Sequence, residues 1–361
     1  MGLFDWLGKL RRLSDDERFC LEFFHHDEQY DLIKQCVKQG KIYFESVKAG
    51  FSFLDENDYL YVRTSEPALQ ELADRMNAAL KQQFEHEWFH KFKDQAYETI
   101  PRLLARNVVG LDDVKKALAL QLFSKELLHI LLVNDEGLDA HYFFGSMEAL
   151  ANKANCCIGS ELSDTSVFTM FDQGIVMIDA FDGVKRAVKQ VLLPVMDHGI
   201  VDEEAGVRAA RVRILAAAKP MGGRFSRTYE NLKRQVPVDP ALIHRFDLLF
   251  INRLSDVATR GAKLVAGFDN LKLADREFLK SYIQHALHLD VLMSPEYDEH
   301  LVDFMEYLWT KYTRGPKEAN ERVLDAIKKL AKASARMELR TTVERRDVMR
   351  AEEIVEFSLR I

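Results

Sequence analysis

The sequence predicts an α/β protein with a doubly wound parallel sheet, a helical C-terminal region and a small, mostly helical N-terminal domain. Two observations carry this prediction. Between residues 98 and 254, short apolar runs alternate with helical stretches, which is typical of a parallel sheet covered on both faces. From about residue 255 onward, the apolar residues follow helical spacing. We therefore expect three domains, over residues 1–97, 98–254 and 255–361.

Composition and charge limit the classes of function. The 361-residue chain is 47% hydrophobic and has a net charge of −7, whereas strong non-specific nucleic-acid binders usually carry a basic face. No apolar run is long enough to span a membrane, and residues 1–12 lack a secretory cleavage pattern. A cytoplasmic setting is therefore expected. Neither a disulfide framework nor a zinc ribbon is indicated, because no CxxC spacing occurs among the cysteines, which are Cys20, Cys36, Cys156 and Cys157.

The N-terminal domain is expected to be mostly helical. Ser14, followed by three acidic residues, is a candidate N-cap. Two short β-prone segments lie at 42–44 and 59–62, and Pro67 opens a long helix that runs towards Phe92. We interpret this part as helices joined by polar turns.

The long helix contains an HExxH motif at residues 86–90. This spacing places His86 and His90 on one helical face, with Glu87 as the general base of a zinc peptidase. The alternative is structural: Phe84, Trp88 and Phe92 form an i, i+4, i+8 core stripe, with the two histidines beside it. We favour the structural interpretation, because no local pattern supplies a third zinc ligand.

Five apolar runs are expected to form the sheet of the central domain. The first, from Leu127 to Val133, is continuous and bounded by turn residues, which indicates a strand buried on both faces. The others lie at 155–158, 175–178, 212–216 and 248–251. Helices are predicted at 114–123, with Asp112 or Asp113 near its start, at 143–155, and in the C-terminal region at 273–287, 295–312, 319–337 and 343–359. Gly315-Pro316 separates two of these helices.

The turn after the first strand stands where a phosphate-binding loop would lie. Such a loop needs small residues for backbone contacts to phosphate, a lysine for the β- and γ-phosphates, and a hydroxyl for Mg²⁺. Here Gly137 remains, whereas Ala140 stands at the lysine position and His141 at the hydroxyl position. Three carboxylates add negative charge to the same turn. The pattern indicates a nucleotide-binding type of fold without its nucleotide chemistry.

Several stretches between about residues 98 and 361 resemble a known family in the right order. Residues 174–182 are similar to the family's I-D-E-F-D signature, residues 215–225 to its A-A-N-P segment and residues 242–248 to its S-R-F-D-L segment. The other similar stretches are 109–123, 129–133 and 322–337. With these stretches the chain resembles the minichromosome maintenance (MCM) replicative helicases, a branch of the AAA+ ATPases, as a degenerate homologue of archaeal type. The resemblance implies an AAA+ core with a C-terminal helical lid. Residues 23–80 are similar, more weakly, to the small subdomain that opens family members.

The resemblance assigns family roles to individual positions, and the chain departs from several of them. Asp179 matches the acidic residue that helps to hold Mg²⁺, but Ala180 stands in place of the catalytic glutamate. Lys219 replaces the sensor asparagine. Arg245 matches the arginine finger that completes a neighbour's site, and Arg322 matches the second sensor. The degenerate phosphate loop comprises Asn134, Asp135, Glu136, Gly137, Leu138, Asp139, Ala140 and His141.

The DNA-binding elements of the family are also reduced. Between Cys156 and Gly174 there is little room for the family's helical insert. Between Met196 and Arg213 the hairpin is short and carries acidic residues at 202–204. Between about residues 80 and 101 there is no space for a zinc module or an OB-fold, which are usual nucleic-acid-binding surfaces.

These observations predict a catalytically inactive MCM-like protein that acts as a binding or regulatory paralogue of the helicase. Phosphoryl transfer depends on positioned charges, and this chain lacks four of the groups that supply them. No cofactor is expected, although the family uses ATP and Mg²⁺. Two alternatives remain: a helicase subunit that contributes Arg245 to a mixed ring, and the zinc peptidase. The expected partner is an active MCM-family helicase or another replication protein; alone, the chain is expected to be a monomer that binds DNA weakly or not at all.

Overall fold

The chain divides into two compact units, of which the first ends at Phe92 and the second begins at Lys93. The sequence predicted this boundary a few residues later, at 97/98. The predicted Gly315-Pro316 break, Glu204 and residues 1–12 lie outside the described residues. The computed structural model describes residues 14–54, 57–203, 206–225, 235–253, 271–312 and 318–359.

The described residues of the first unit form two short helices, a hairpin and a long helix. Its elements are α1 (Asp15–Phe23), α2 (Tyr30–Lys38), β1 (Ile42–Lys48), β2 (Asp58–Thr64) and α3 (Gln70–Phe92). At the start of α1 the Ser14 hydroxyl accepts from the Glu17 N–H, and the Glu17 carboxylate accepts from the Ser14 N–H. This reciprocal pair is a capping box, and it confirms the predicted N-cap.

The two β-prone segments pair with each other as an antiparallel hairpin, in register from Ile42 opposite Thr64 to Lys48 opposite Asp58. The expectation of a mostly helical region therefore understates its sheet content. Asn77 of α3 binds the hairpin: its side-chain oxygen accepts from the Val62 N–H at 2.6 Å, and its amide donates to the Val62 carbonyl at 3.0 Å. The long helix thus satisfies backbone groups at a strand edge.

The second unit contains the central sheet and its surrounding helices. The elements of the core are α4 (Ala96–Leu103), α5 (Asp112–Phe123), β3 (Ile130–Asn134), α6 (His141–Leu150), β4 (Ala154–Ile158), α7 (Ser166–Met170), β5 (Ile175–Asp179), α8 (Arg186–His198), β6 (Ile200–Glu203), β7 (Gly206–Ala209), β8 (Arg213–Ala218), α9 (Pro240–Ile243) and β9 (Leu248–Asn252). The helix predicted over 143–155 ends at Leu150, because the chain turns there into β4.

The main sheet is parallel, with the strand order β4-β5-β8-β3-β9. Strands β3 and β8 are buried along their whole length, as expected for the inner strands of a sheet covered on both faces. All five predicted strands are present. In this order β3 lies between β8 and β9, which are both later in the chain. The loop after β3 lies at the carboxyl ends of the parallel strands, where open α/β sheets bind ligands.

Among the residues that the structure describes, four helices form the C-terminal lid, which the sequence predicted with small differences at the helix starts. They are α10 (Leu273–Leu287), α11 (Tyr297–Tyr312), α12 (Glu318–Met337) and α13 (Arg345–Leu359). Helices α12 and α13 pack on each other and on α5. The fold is thus the AAA+ arrangement of an α/β core with a helical lid.

Helix α5 begins at Asp112, so the aspartates lie in its first turn as predicted, and it is stabilised at its C-terminus. Leu111 precedes the helix, with φ 57° and no side-chain cap. At the other end, the buried Arg213 of β8 donates to the carbonyls of Gln121, Leu122 and Ser124 at 2.8–3.1 Å. Burial lowers the pKa of Arg213 to about 10. A cation is favourable at the negative end of the helix dipole.

A second arginine, Arg336 of the lid helix α12, binds the same end of α5. Its guanidinium donates to the Phe123 carbonyl at 2.7 Å and to the Leu289 carbonyl at 3.2 Å, and it lies 3.5 Å from the Glu126 carboxylate. The side chain is almost completely buried. The lid and the core therefore share one capping site.

His129 and Asp247 form a buried polar network at the start of β3. The His129 ring accepts from the Ile214 N–H at 3.0 Å and donates to the Met196 carbonyl at 3.1 Å, and burial lowers the pKa of His129 to about 3. The Asp247 carboxylate accepts from the His129 N–H at 2.7 Å and from the Lys329 ammonium of α12 at 2.8 Å. Every member of the network has a partner, as buried polar groups require.

Within the described residues, each helix is too short or too polar to cross a lipid bilayer. The four cysteines are free thiols: Cys20 and Cys36 are buried, and Cys156 and Cys157 lie on the edge strand β4.

Candidate functional site

The loop after β3 is closed by hydrogen bonds to a second segment of the core. The Asp135 carboxylate accepts from the Phe225 N–H at 2.7 Å, and the Glu136 N–H donates to the Gly223 carbonyl at 2.8 Å. The Asp135 N–H donates to the Asn252 carbonyl at 3.0 Å. In a phosphate loop such N–H groups would point at phosphate oxygens; here, at residues 135 and 136, they bind protein carbonyls.

The rest of the loop has no side chain suited to a triphosphate. Ala140 is buried, and the His141 N–H donates to the Asp139 carboxylate at 2.9 Å. Gly223 adopts φ 79°, and a Cβ there would lie 3.5 Å from a Glu136 carboxylate oxygen. That distance is an ordinary van der Waals contact, so it is the left-handed backbone conformation that favours glycine at this position.

Asp179 and Ala180 lie at the end of β5. The Asp179 carboxylate accepts from the Ala180 N–H at 2.8 Å, and Ala180 has φ 46° and ψ 50°. This left-handed conformation is uncommon for a residue with a Cβ. The Ala180 carbonyl would lie only 2.5 Å from a Cβ at Gly159, so the turn after β5 packs tightly on the chain after β4.

Three of the predicted positions meet at one edge of the sheet. The loop at 134–141 follows β3, Ala180 follows β5, and the exposed Lys219 follows β8. Because β5, β8 and β3 are adjacent and parallel, their carboxyl ends lie side by side. The structure therefore brings together the positions that the sequence assigned to one nucleotide site.

Arg245 and Arg322 lie together at a different site, in a cavity of about 630 Å³. The Arg245 Nε donates to the Asp197 carboxylate at 2.8 Å, and its Nη1 donates to the Ala241 carbonyl. The Arg322 Nη1 donates to the His244 carbonyl, and its Nη2 lies 3.9 Å from the other Asp197 oxygen. One carboxylate thus faces both arginines.

Arg245 and the loop after β3 lie at opposite ends of the strands of the sheet. Ile130 pairs with Leu248 and Asn134 pairs with Asn252, so Arg245 precedes the start of β9 while the loop follows the end of β3. A five-residue strand spans about 15 Å. Arg245 therefore stands away from the loop of its own chain.

The HExxH segment lies in α3 with its polar side chains outside. His86, Glu87 and His90 are exposed, whereas Trp88 and Phe92 are buried. Trp88 packs against aromatic rings of its own unit: its ring centroid lies 5.0 Å from that of Phe51 and 5.8 Å from that of Tyr59. Across the part of the chain that the structure describes, no group of three or more His, Cys, Asp or Glu side chains could hold a metal ion.

The elements that carry DNA contacts in the family are short here. Strands β6 and β7 pair over four residues each, with the exposed Asp202 on β6. Between β4 and β5 the structure has only the five-residue helix α7.

Sequence reasoning missed the partners of the candidate residues. Asp197 belongs to no motif. Its position, one residue before the end of α8, is nevertheless unusual for an acid, because the C-terminus of a helix carries partial negative charge. The N–H and carbonyl that close the loop belong to the backbone of Phe225 and Gly223, and backbone groups leave no side-chain signal.

Comparison with known proteins agrees with this architecture. A model of the MCM P-loop domain matches residues 162–266, and a model of the MCM AAA-lid domain matches residues 277–359. Together the two matches cover just over half of the chain. It belongs to the MCM family. The P-loop match begins at residue 162, after the segment 134–141.

Curated relatives of this MCM-family chain are DNA replication licensing factors. It is 25% identical to mcm4 of Schizosaccharomyces pombe, over 74% of the chain and 35% of the relative, and 25% identical to MCM4 of Oryza sativa, over 84% and 42%. It is also 25% identical to Mcm6 of Anopheles gambiae, over 82% and 42%. The chain thus matches less than half the length of each. The relatives named here are eukaryotic, and the archaeal type stays a prediction.

Proposed function

We propose that this chain is an MCM-related protein of DNA replication that does not use ATP at its own site and acts as a binding or regulatory partner. The observation that carries the proposal is the closed loop. The Asp135 carboxylate and the Glu136 N–H are bonded to residues 223–225, and the lysine, hydroxyl and glutamate positions hold Ala140, His141 and Ala180.

The chemistry of phosphoryl transfer supports this proposal. The reaction depends on positioned charges around the phosphates and the attacking water. ATP entering this loop would meet three carboxylates and no lysine, and it would have to break the contacts to residues 223–225. The phosphates would be repelled by the like charges of the carboxylates, and they would gain few hydrogen bonds in return.

Calorimetry with ATP and Mg²⁺ tests the proposal directly. We expect no saturable binding at micromolar concentrations and no hydrolysis above background, while an ATPase-active MCM protein in the same buffer serves as the control. Micromolar affinity for ATP would contradict the proposal.

The cavity favours a second candidate function, in which Arg245 completes the nucleotide site of an active relative. The separation of Arg245 from its own loop supports action on another chain, and Arg322 lines the same cavity. An arginine supplied in this way contributes about 10³–10⁵ to catalysis in related phosphoryl transfers.

Mixing this chain with an active MCM relative and measuring ATP turnover tests the second function. We expect a change in turnover that Arg245→Ala abolishes. Arg211→Ala is the matched control, because Arg211 also pairs with an aspartate, Asp172, at 2.7 Å but lies outside the cavity. Equal effects of the two substitutions would exclude the second function.

The proposal includes weak DNA binding and a monomeric state in isolation. The net charge of −7 and the short β6–β7 hairpin support weak DNA binding. A ring built around nucleotide would gain stability from bound ligand, and this chain lacks that contribution at its own loop. Sedimentation is expected to give about 41.7 kDa with or without ATP; a stable hexamer, or tight DNA binding with a steep salt dependence, would contradict these points.

The zinc peptidase stays the remaining alternative. Metal analysis after purification without added zinc tests it. One equivalent of zinc that is lost in both His86→Ala and His90→Ala would favour the peptidase, whereas the buried Trp88 and Phe92 favour a structural helix.

A further inference from the structure

The cavity that holds Arg245 and Arg322 contains its own anion. Asp197 lies 2.8 Å from the Arg245 Nε and 3.9 Å from the Arg322 Nη2. The three side chains are about one-quarter exposed, so the cluster is accessible from solvent. A carboxylate oxygen facing each guanidinium is also how a phosphate would bind the pair.

The position of Asp197 in its helix is unfavourable without the arginines. It is the next-to-last residue of α8, which ends before Gly199 at φ 65°. The C-terminus of a helix carries partial negative charge and disfavours an acid. The attraction of two arginines offsets this repulsion, and the carboxylate is therefore held chiefly by the arginines.

The charges around the cavity leave little attraction for a free anion. Its lining includes four carboxylates, those of Asp197, Asp247, Glu321 and Asp325, against the two arginines. Lys329 pairs with two of the four, Asp247 at 2.8 Å and Asp325 at 2.7 Å. With Lys329 included, three cations face four carboxylates, so the positive charge of the arginines is more than balanced within the cavity.

We propose that Asp197 is an internal counter-ion that masks the Arg245–Arg322 pair, so that the cavity accepts a phosphoryl anion only when another chain presents it. This inference rests on the second proposed function, in which that anion is the terminal phosphate of a nucleotide bound by a neighbour. A phosphate fixed on a neighbouring subunit has a high effective concentration and displaces Asp197, whereas free phosphate compounds in solution do not.

Removing the charge of Asp197 tests the masking without any partner. The probe is inorganic tripolyphosphate, titrated calorimetrically into the whole chain at low salt. Wild-type protein is expected to bind it weakly, and Asp197→Asn is expected to bind it at least tenfold more tightly, about 1.4 kcal/mol. In the double variant Asp197→Asn, Arg245→Ala the gain is expected to disappear.

Two further variants serve as controls. Asp197→Glu keeps the charge and is expected to bind as weakly as wild type. Asp27→Asn removes the same charge from an exposed pair in the first unit, where Asp27 lies 2.8 Å from Arg75, and it is expected to leave the affinity unchanged. A thermal melt of each variant confirms that it is folded.

The outcomes separate this inference from the proposed functions. Equal affinities of wild type and Asp197→Asn, or a gain that persists in the double variant, would overturn the masking. Binding that requires neither Arg245 nor Arg322 would locate tripolyphosphate elsewhere and would also overturn it. The calorimetry with ATP reports on the loop after β3, and the turnover assay with a relative reports on action in trans, so each can fail independently.

Discussion

Two pairs of arginines in the second unit have opposite environments. Arg213 and Arg336 are buried at the C-terminus of α5, where their donors bind backbone carbonyls. Arg245 and Arg322 lie in an open cavity around one carboxylate. The first pair joins strand β8 and the lid to one helix end, and the second pair lines a surface that another molecule can reach.

The difference shows how burial separates structural from functional arginines. A buried guanidinium is stable only when fixed acceptors surround it, and its removal leaves several carbonyls without donors. A partly exposed guanidinium retains water and contributes little to folding. Predictions about the two pairs should therefore diverge strongly.

The largest effect is expected for Arg213→Met. Loss of its hydrogen bonds to the α5 carbonyls, and to Gly174 and Gln173, should reduce the free energy of unfolding by about 3–5 kcal/mol. Urea denaturation measures this change. The neighbouring Arg211→Met is the control, because that side chain is 54% exposed and should shift the midpoint only slightly. Equal shifts would remove the distinction between buried and exposed arginines.

The second prediction concerns the pH dependence of folding stability that the buried His129 contributes. Its pKa falls from 6.5 to about 3 on folding because the ring is buried, so the folded state disfavours the proton. The resulting stability is fully present above pH 6.5 and is lost as the pH falls from 6.5 towards 3, by about 1.4 kcal/mol per pH unit.

Denaturation at several pH values tests this contribution by comparing slopes. His129→Gln has no titrating ring and should show a shallower loss of stability across that range, with His129→Asn as a second variant. Parallel slopes for wild type and both variants would show that His129 does not titrate in this range.

The smallest effect is expected for Arg245→Ala. Its ion pair with Asp197 is partly exposed, and pairs of this kind contribute about 1 kcal/mol or less. The midpoint of urea denaturation should therefore remain close to wild type. A loss comparable to that of Arg213→Met would mean that Arg245 has a structural role and would weaken its assignment as a residue available to another chain.

The sequence predicted the fold well because its signals are local. Continuous apolar runs predicted the buried strands β3 and β8, and helical spacing predicted α10 within the bounds that the structure has. The prediction was weaker where tertiary contacts decide. The pairing of β1 with β2 and the contact of Asn77 with Val62 were not predicted. The left-handed Leu111 before α5 left no sequence signal, although the aspartates marked the start of that helix.

The candidate site could be predicted only in part. The resemblance named the positions of the loop, Ala180 and Arg245, but not what those residues bind. Asp135 and Phe225 are far apart in sequence and joined by a backbone N–H. Asp197 and Arg245 are likewise distant in sequence. No single-sequence pattern records such pairs, since a motif identifies residues within one segment and not the distant groups that they contact.

The closed loop has a consequence for how this chain could come to bind nucleotide. A lysine introduced at Ala140 would enter a loop whose neighbouring groups already bind residues 223–225. A new phosphate ligand would compete with those bonds, so the single substitution should bring no measurable benefit. Nucleotide binding would need simultaneous changes in two segments that are distant in sequence, and selection acting on single steps would seldom find that route.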